Sequence, residues 1–125
     1  HLIVPKKYDL NNLFRNIVSF SDIIYHNKYA NNYDYHRAIF MLNKKYFLDN
    51  NFLIVAENEE LVSPVSVLNY HKYEFGTEIL EYMNKCKDDI QVIVGKDYIE
   101  FGKSQHPSWS DYADNLNTMN FLLNL

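Results

Sequence analysis

The sequence of 125 residues contains one cysteine, Cys86. An internal disulfide framework is therefore excluded, and a reducing cytoplasm is the expected compartment. No apolar run approaches the roughly 18 residues of a membrane helix. The opening HLIVPKKYDL has no apolar stretch long enough for a signal peptide. It also has no initiating methionine, which is consistent with a piece of a longer protein. Glycines number only three, and GxGxxG, Walker A and GxSxG are all missing, so no common cofactor, nucleotide or hydrolase fingerprint is present. Long basic runs are absent and the net charge is −4. A nucleic-acid partner is not expected, because phosphate binding needs clustered Lys and Arg.

What is present is a globular composition, 47% hydrophobic and 22% charged, with neither the low hydrophobicity nor the high net charge of a disordered chain. No repeat, low-complexity tract or linker divides it, so residues 1–125 read as one domain. LIVP (2–5) reads as a short strand closed by Pro5. Asp9 can cap a helix carrying Leu10, Leu13, Phe14, Ile17 and Val18 on one face, and Ser21 and Asp22 offer a second start. A further helix is predicted from Tyr35 to about Lys45. FLDNN (47–51) reads as a turn, since Asp and Asn side chains bond their own backbone. FLIVA (52–56) has the continuous apolar character of a buried strand. VSPVSVLNY (62–70) alternates as a half-buried strand does. A helix over 77–87, a third strand at IQVIVG (90–95), an irregular 98–110 and a last helix from Ser110 or Asp111 complete the reading. That helix is expected to bury Met119, Phe121, Leu122 and Leu123. Alternating strands and helices predict an α/β layer.

Chemistry is harder to place. The segment YHNKYANNYDYHR (25–37) is polar and aromatic, with no run of aliphatic residues. His26 and His36 lie ten apart, His71 and His106 are isolated, and neither CxxC nor HExxH occurs. Ordinary polar histidines are the expected reading, with no metal site. Cys86 reads as a buried structural thiol, because no basic group is placed to stabilise its thiolate. Glu57, Glu59 and Glu60 read as a solvated acidic loop.

Three segments carry a resemblance. IEFGKSQHPSWSDYADNLNTMNFLLNL (99–125) closely resembles the end of the bacterial acyl-CoA reductase family, which includes the fatty acyl reductase of bioluminescence. Phe101, Gly102, Gln105, Pro107, Asp111, Tyr112, Ala113, Asp114, Thr118 and Phe121 match its FG–Q–P–DYAD–DTMEFLL pattern. HNKYANNYDY (26–35) is similar to a signature of a subgroup of that family, and FLDNNFLIV and SPVSVLNY also resemble it. The family belongs to the aldehyde dehydrogenase superfamily. LIVPKKYDLNNLF (2–14) resembles the strand and helix that follow that superfamily's nucleophilic cysteine. ELVSPV (60–65) is similar to its E-x-F-G-P-V motif, with Val62 in place of phenylalanine and Ser63 in place of glycine.

The resemblance implies the C-terminal portion of an acyl-CoA reductase. The fold implied is α/β of aldehyde dehydrogenase type, a mostly parallel sheet flanked by helices. It implies a nucleophilic cysteine and a cofactor domain upstream of His1, NADPH or NADH as cofactor, and an acyl-CoA or other acyl thioester as substrate. Glu60 is implied as the contact to a ribose of the cofactor, and Phe101 and Gly102 as part of the acyl channel. Asn32, Tyr33 and Asp34 are candidates to face the acyl-CoA or the missing domain; a self-capping structural loop accounts for them equally well. No residue of this chain is implied as catalytic. A homo-oligomer is compatible with the sequence. The rival reading is a freestanding, non-catalytic interaction domain.

Overall fold

The computed structural model describes residues 1–113 and 116–125. Asp114, the last residue of the DYAD match, thus lies outside the described residues. Backbone contacts divide the chain into two compact units, His1–Tyr82 and Met83–Leu125.

The first unit is α/β. Strand β1 (Leu2–Pro5) leads to helix α1 (Asn11–Ile17), a 3-10 stretch (Val18–Tyr25) and the long helix α2 (Asn27–Leu42). Strands β2 (Leu48–Asp49), β3 (Ile54–Glu57) and β4 (Val67–Tyr73) follow, then helix α3 (Gly76–Lys85), whose residues from Met83 on belong to the second unit. The four strands form one sheet in the order β1-β4-β3-β2. β1, β4 and β3 run parallel, with Leu2 and Glu57 both opposite Tyr70. The edge strand β2 is antiparallel to β3.

The sheet is covered on both faces. Val4, Leu10, Val55 and Tyr70 form one buried cluster, with Leu13 and Phe14 of α1 packed on it. Tyr33, Ile54 and Val67 form the other, with Ile24, Phe40 and Phe47. Adjacent strand residues point to opposite faces, so Ile54 and Val55 serve one cluster each, and both are 0% exposed. That explains why FLIVA is apolar without alternation.

Several boundaries differ from the sequence reading. Asp9 sits just ahead of α1, where its carboxylate accepts the Asn11 N–H at 2.9 Å. Helix α2 begins at Asn27 rather than near Tyr35. Its Tyr29, Tyr33, His36 and Phe40 recur at helical spacing and are all at least half-buried; packing on the sheet overrides the low helix propensity of the asparagines. It ends in a Schellman motif, with Lys44 at φ 53° and the Lys45 N–H bonded to the Phe40 carbonyl. β4 starts at Val67, not Val62, because Pro64 has no N–H to give a ladder and Ser66 has φ 70°.

The second unit contains little regular structure. IQVIVG is not a strand: its only pairing among the described residues is the isolated bridge Val94–Ile99. The Tyr98 N–H bonds the Gly95 carbonyl at 3.2 Å, so the chain turns there instead of running on beside a partner. The last helix, α4 (Thr118–Leu123), is six residues long and is capped by Asn117, not by Ser110 or Asp111. Asp111 instead accepts the Ser108 N–H at 2.6 Å, which holds its carboxyl below the usual carboxylate range. The expected burial of Met119, Phe121, Leu122 and Leu123 is also corrected, since all four are exposed. A helix this short makes too few backbone bonds to stand without packing. Cys86, expected buried, is half-buried and has a free thiol.

Candidate functional site

β3 ends at Glu57, and residues 58–66 lead into β4. This loop follows the carboxyl end of β3 and packs on Asn69 of β4 and on His1, beside the amino end of β1. Asn58 begins it. Its N–H extends the ladder to the Tyr70 carbonyl at 2.9 Å, and its side-chain oxygen accepts the Glu60 N–H at 3.1 Å. The loop's own carbonyls are then met by side chains from three elements. Asn69 on β4, only 3% exposed, donates to Glu60 O at 3.0 Å and to Val62 O at 3.2 Å. Tyr82 on α3 donates to Glu59 O at 2.8 Å. His1, just before β1, has Nδ1 3.0 Å from Glu60 O.

The backbone of Glu60 is thus held at both its N–H and its carbonyl, while its side chain is exposed. The carboxylate meets the Asn58 amide at 3.2 Å. A carboxylate only accepts hydrogen bonds and has room for several. Exposed at the surface, it can accept hydrogen bonds from donors outside the chain.

The two histidines behind the loop belong to one aromatic cluster. His1 Nε2 lies 2.7 Å from His71 Nδ1. Both rings pack on Tyr82, with centroids at 5.3 and 4.4 Å. Burial pushes the His71 pKa down, against the attraction of Glu59 and Glu78. His71 is therefore not the isolated residue its place in the sequence suggests. Its signal was present: Val67, Asn69 and His71 share one face of β4 by strand alternation, and two of the three are polar.

The other expected site residues do not converge on Glu60. Asn32, Tyr33 and Asp34 are consecutive on α2, and successive helical side chains point about 100° apart. Asn32 donates to the Lys28 carbonyl of its own helix at 2.7 Å, and Asp34 is exposed. Tyr33 points inward, 6% exposed, and donates to Asp49 at 2.6 Å. Arg37 completes the arrangement with Nε 2.8 Å from the same carboxylate. Burial first, then the Asp49 hydrogen bond and charge, push the Tyr33 hydroxyl well above its ordinary pKa. This is the chemistry of a structural strut. Tyr33→Phe should cost about 1.5–3 kcal/mol, the range for a hydrogen bond to a charged group. A thermal melt checks this, and an unchanged midpoint would contradict the strut.

In the second unit, Phe101 is 82% exposed and Gly102 takes φ 81°, a left-handed turn that glycine adopts without strain. An open cleft of about 1020 Å³ in this unit is walled by Met83, Ile90, Val92, Tyr98, Ile99 and Leu116, among others, and neither Phe101 nor Gly102 lines it. Among the described residues no group of three or more His, Cys, Asp or Glu is arranged to hold a metal ion. No helix among them is long and apolar enough to cross a membrane.

Comparison of the chain with models of known protein families, with characterised proteins and with solved structures finds no match.

Proposed function

We propose that this chain is the C-terminal portion of a cytoplasmic acyl-CoA reductase with the aldehyde dehydrogenase type of α/β fold, and that Glu60 binds the ribose of NADPH or NADH. The observation that carries the reading is Glu60 itself. The residue that the ELVSPV resemblance points to has its backbone held by Asn58, Asn69 and His1 and its carboxylate exposed, beyond the carboxyl end of a parallel strand. Two further features support it. LIVP forms a strand followed by a helix, as the resemblance implies, and the strand order is mostly parallel.

In the complete enzyme a cysteine upstream of His1 attacks the acyl thioester, expels CoA as the thiol and keeps the acyl group as a new thioester. Dividing the reaction in this way is covalent catalysis. The bound nicotinamide supplies the hydride that releases the aldehyde. This chain's part is to orient: Glu60 accepts the ribose hydroxyls, and Phe101 and Gly102 belong to the wall of the acyl channel.

The test compares two proteins, this chain alone and the chain joined to its upstream coding sequence. Each is given long-chain acyl-CoA and NADPH, and nicotinamide absorbance is followed. Turnover is expected in the longer protein only. Turnover by the 125-residue chain, or none by the longer protein, would overturn the reading.

One observation favours the interaction-domain alternative. Trp109 is 103% exposed, and Phe101, Phe121 and Leu123 are exposed in the same unit. Apolar surface of this kind commonly marks a contact with another protein. A native start codon immediately ahead of the His1 codon would favour this alternative, and an upstream cysteine and cofactor domain would favour the reductase.

A further inference from the structure

The side chains behind the Glu60 loop have a proton economy that the rest of the sheet lacks. The Glu60 carbonyl can only accept, so His1 Nδ1 must carry the proton between them. A neutral His1 then has its lone pair at Nε2 and accepts the N–H of His71 Nδ1 at 2.7 Å. Neutral His71 keeps its own lone pair on Nε2. One proton can be added there without breaking any bond, because the His71 cation still donates from Nδ1. A second proton has to go to His1 Nε2. It would set N–H against N–H at 2.7 Å, and the pair would separate. His1 would move from the Glu60 carbonyl, and both rings would shift on Tyr82, whose hydroxyl holds the Glu59 carbonyl.

The geometry points to His1 and His71 as positioning residues that hold the Glu60 loop when the pair carries at most one proton and release it when it carries two. Its consequence for cofactor use rests on the role proposed for Glu60; the loop's response to protons does not.

The charges around the pair fix the direction. Glu59 and the Glu60 carbonyl face it from the loop, and Glu78 and Tyr82 from α3. Glu57 is on the opposite face with Tyr70. Glu59 and Glu78 favour the first proton, while the burial of His71 opposes it. The second is opposed by the first and by the hydrogen bond it destroys, so the pair titrates in two coupled steps. A lowered folded pKa means stability is complete above the ordinary histidine value of about 6.5 and is lost as pH falls below it.

The experiment is an NMR titration of the whole chain from about pH 8 to pH 5, following the imidazole nitrogens and the amides of Glu59, Glu60 and Leu61. The loop amides should shift together, with the midpoint of the second imidazole step. His71→Phe keeps a ring on Tyr82 but cannot pair with His1, so the coupled shift should vanish. His1→Phe provides the same test should the first variant not fold. Loop amides that stay still through the imidazole steps, or that move alike in parent and variants, would overturn the proposal. If the response is found but Glu60→Gln leaves cofactor use intact, the clamp stands and the cofactor role falls. If the response is missing while Glu60→Gln impairs cofactor use, the clamp falls alone.

Discussion

Ile54→Ala is expected to destabilise the first unit by about 2–5 kcal/mol, the range for truncating a fully buried aliphatic side chain. Ile54 is 0% exposed and sits on β3, between β4 and β2 in the sheet. Its side chain packs with Tyr33 and Val67. The opposite face is closed by Val55 and α1, so little can collapse into the space left behind. A domain's net stability is only about 5–15 kcal/mol, and the loss would be a large share of it. Urea unfolding followed by circular dichroism is the measure: the midpoint should fall with the slope unchanged. Leu122→Ala supplies the contrast. Leu122 is exposed, and such surface changes usually stay within about 0.5 kcal/mol. Equal midpoints for Ile54→Ala and the parent would contradict the two-faced core.

The same contrast separates what could be read from the sequence from what could not. FLIVA was legible because a parallel strand buried on both faces must be apolar throughout, and LIVP because it is a short apolar run closed by Pro5. IQVIVG has the same composition, yet it forms no strand, since a strand also needs a neighbouring backbone, and composition says nothing about neighbours. The first half of helix α2 was hidden for the opposite reason: its asparagines argue for a loop, and only the spacing of Tyr29, Tyr33, His36 and Phe40 marks the packed face. The apolar spacing of 119–123 suggested a docked helix, but spacing cannot guarantee a surface to dock on. In the candidate site, Glu60 was singled out through a resemblance to a motif. Its supports were not, because His1 precedes β1, Asn69 and His71 lie on β4 and Tyr82 on α3, and they meet only in the folded chain.

On the reductase proposal, Glu60→Gln is expected to weaken cofactor use in the longer protein on the order of 10- to 100-fold, with folding unaffected. A carboxylate accepting ribose hydroxyls makes charge-assisted bonds worth about 1.5–3 kcal/mol each. Glutamine keeps one acceptor and replaces the other with a donor, so about one such bond is lost, and each 1.4 kcal/mol is about tenfold. The clamp should survive, because Asn58, Asn69 and His1 hold the backbone of residue 60, and the one bond to its carboxylate, from the Asn58 amide, can be accepted by the glutamine oxygen as well. The melting temperature should therefore match the parent while the KM for NADPH rises. A parallel loss of stability would show that the carboxylate is structural.

Single-turnover kinetics on the longer protein test the proposed cofactor role of Glu60 most directly, because they separate acylation of the proposed upstream cysteine from reduction of the acyl group. CoA release, followed without cofactor, should occur at the same rate in the parent and in Glu60→Gln. Reduction of the preformed acyl-enzyme at subsaturating NADPH should be slowed in the variant and recover as NADPH is raised. Slowed CoA release with reduction unaffected would contradict the account.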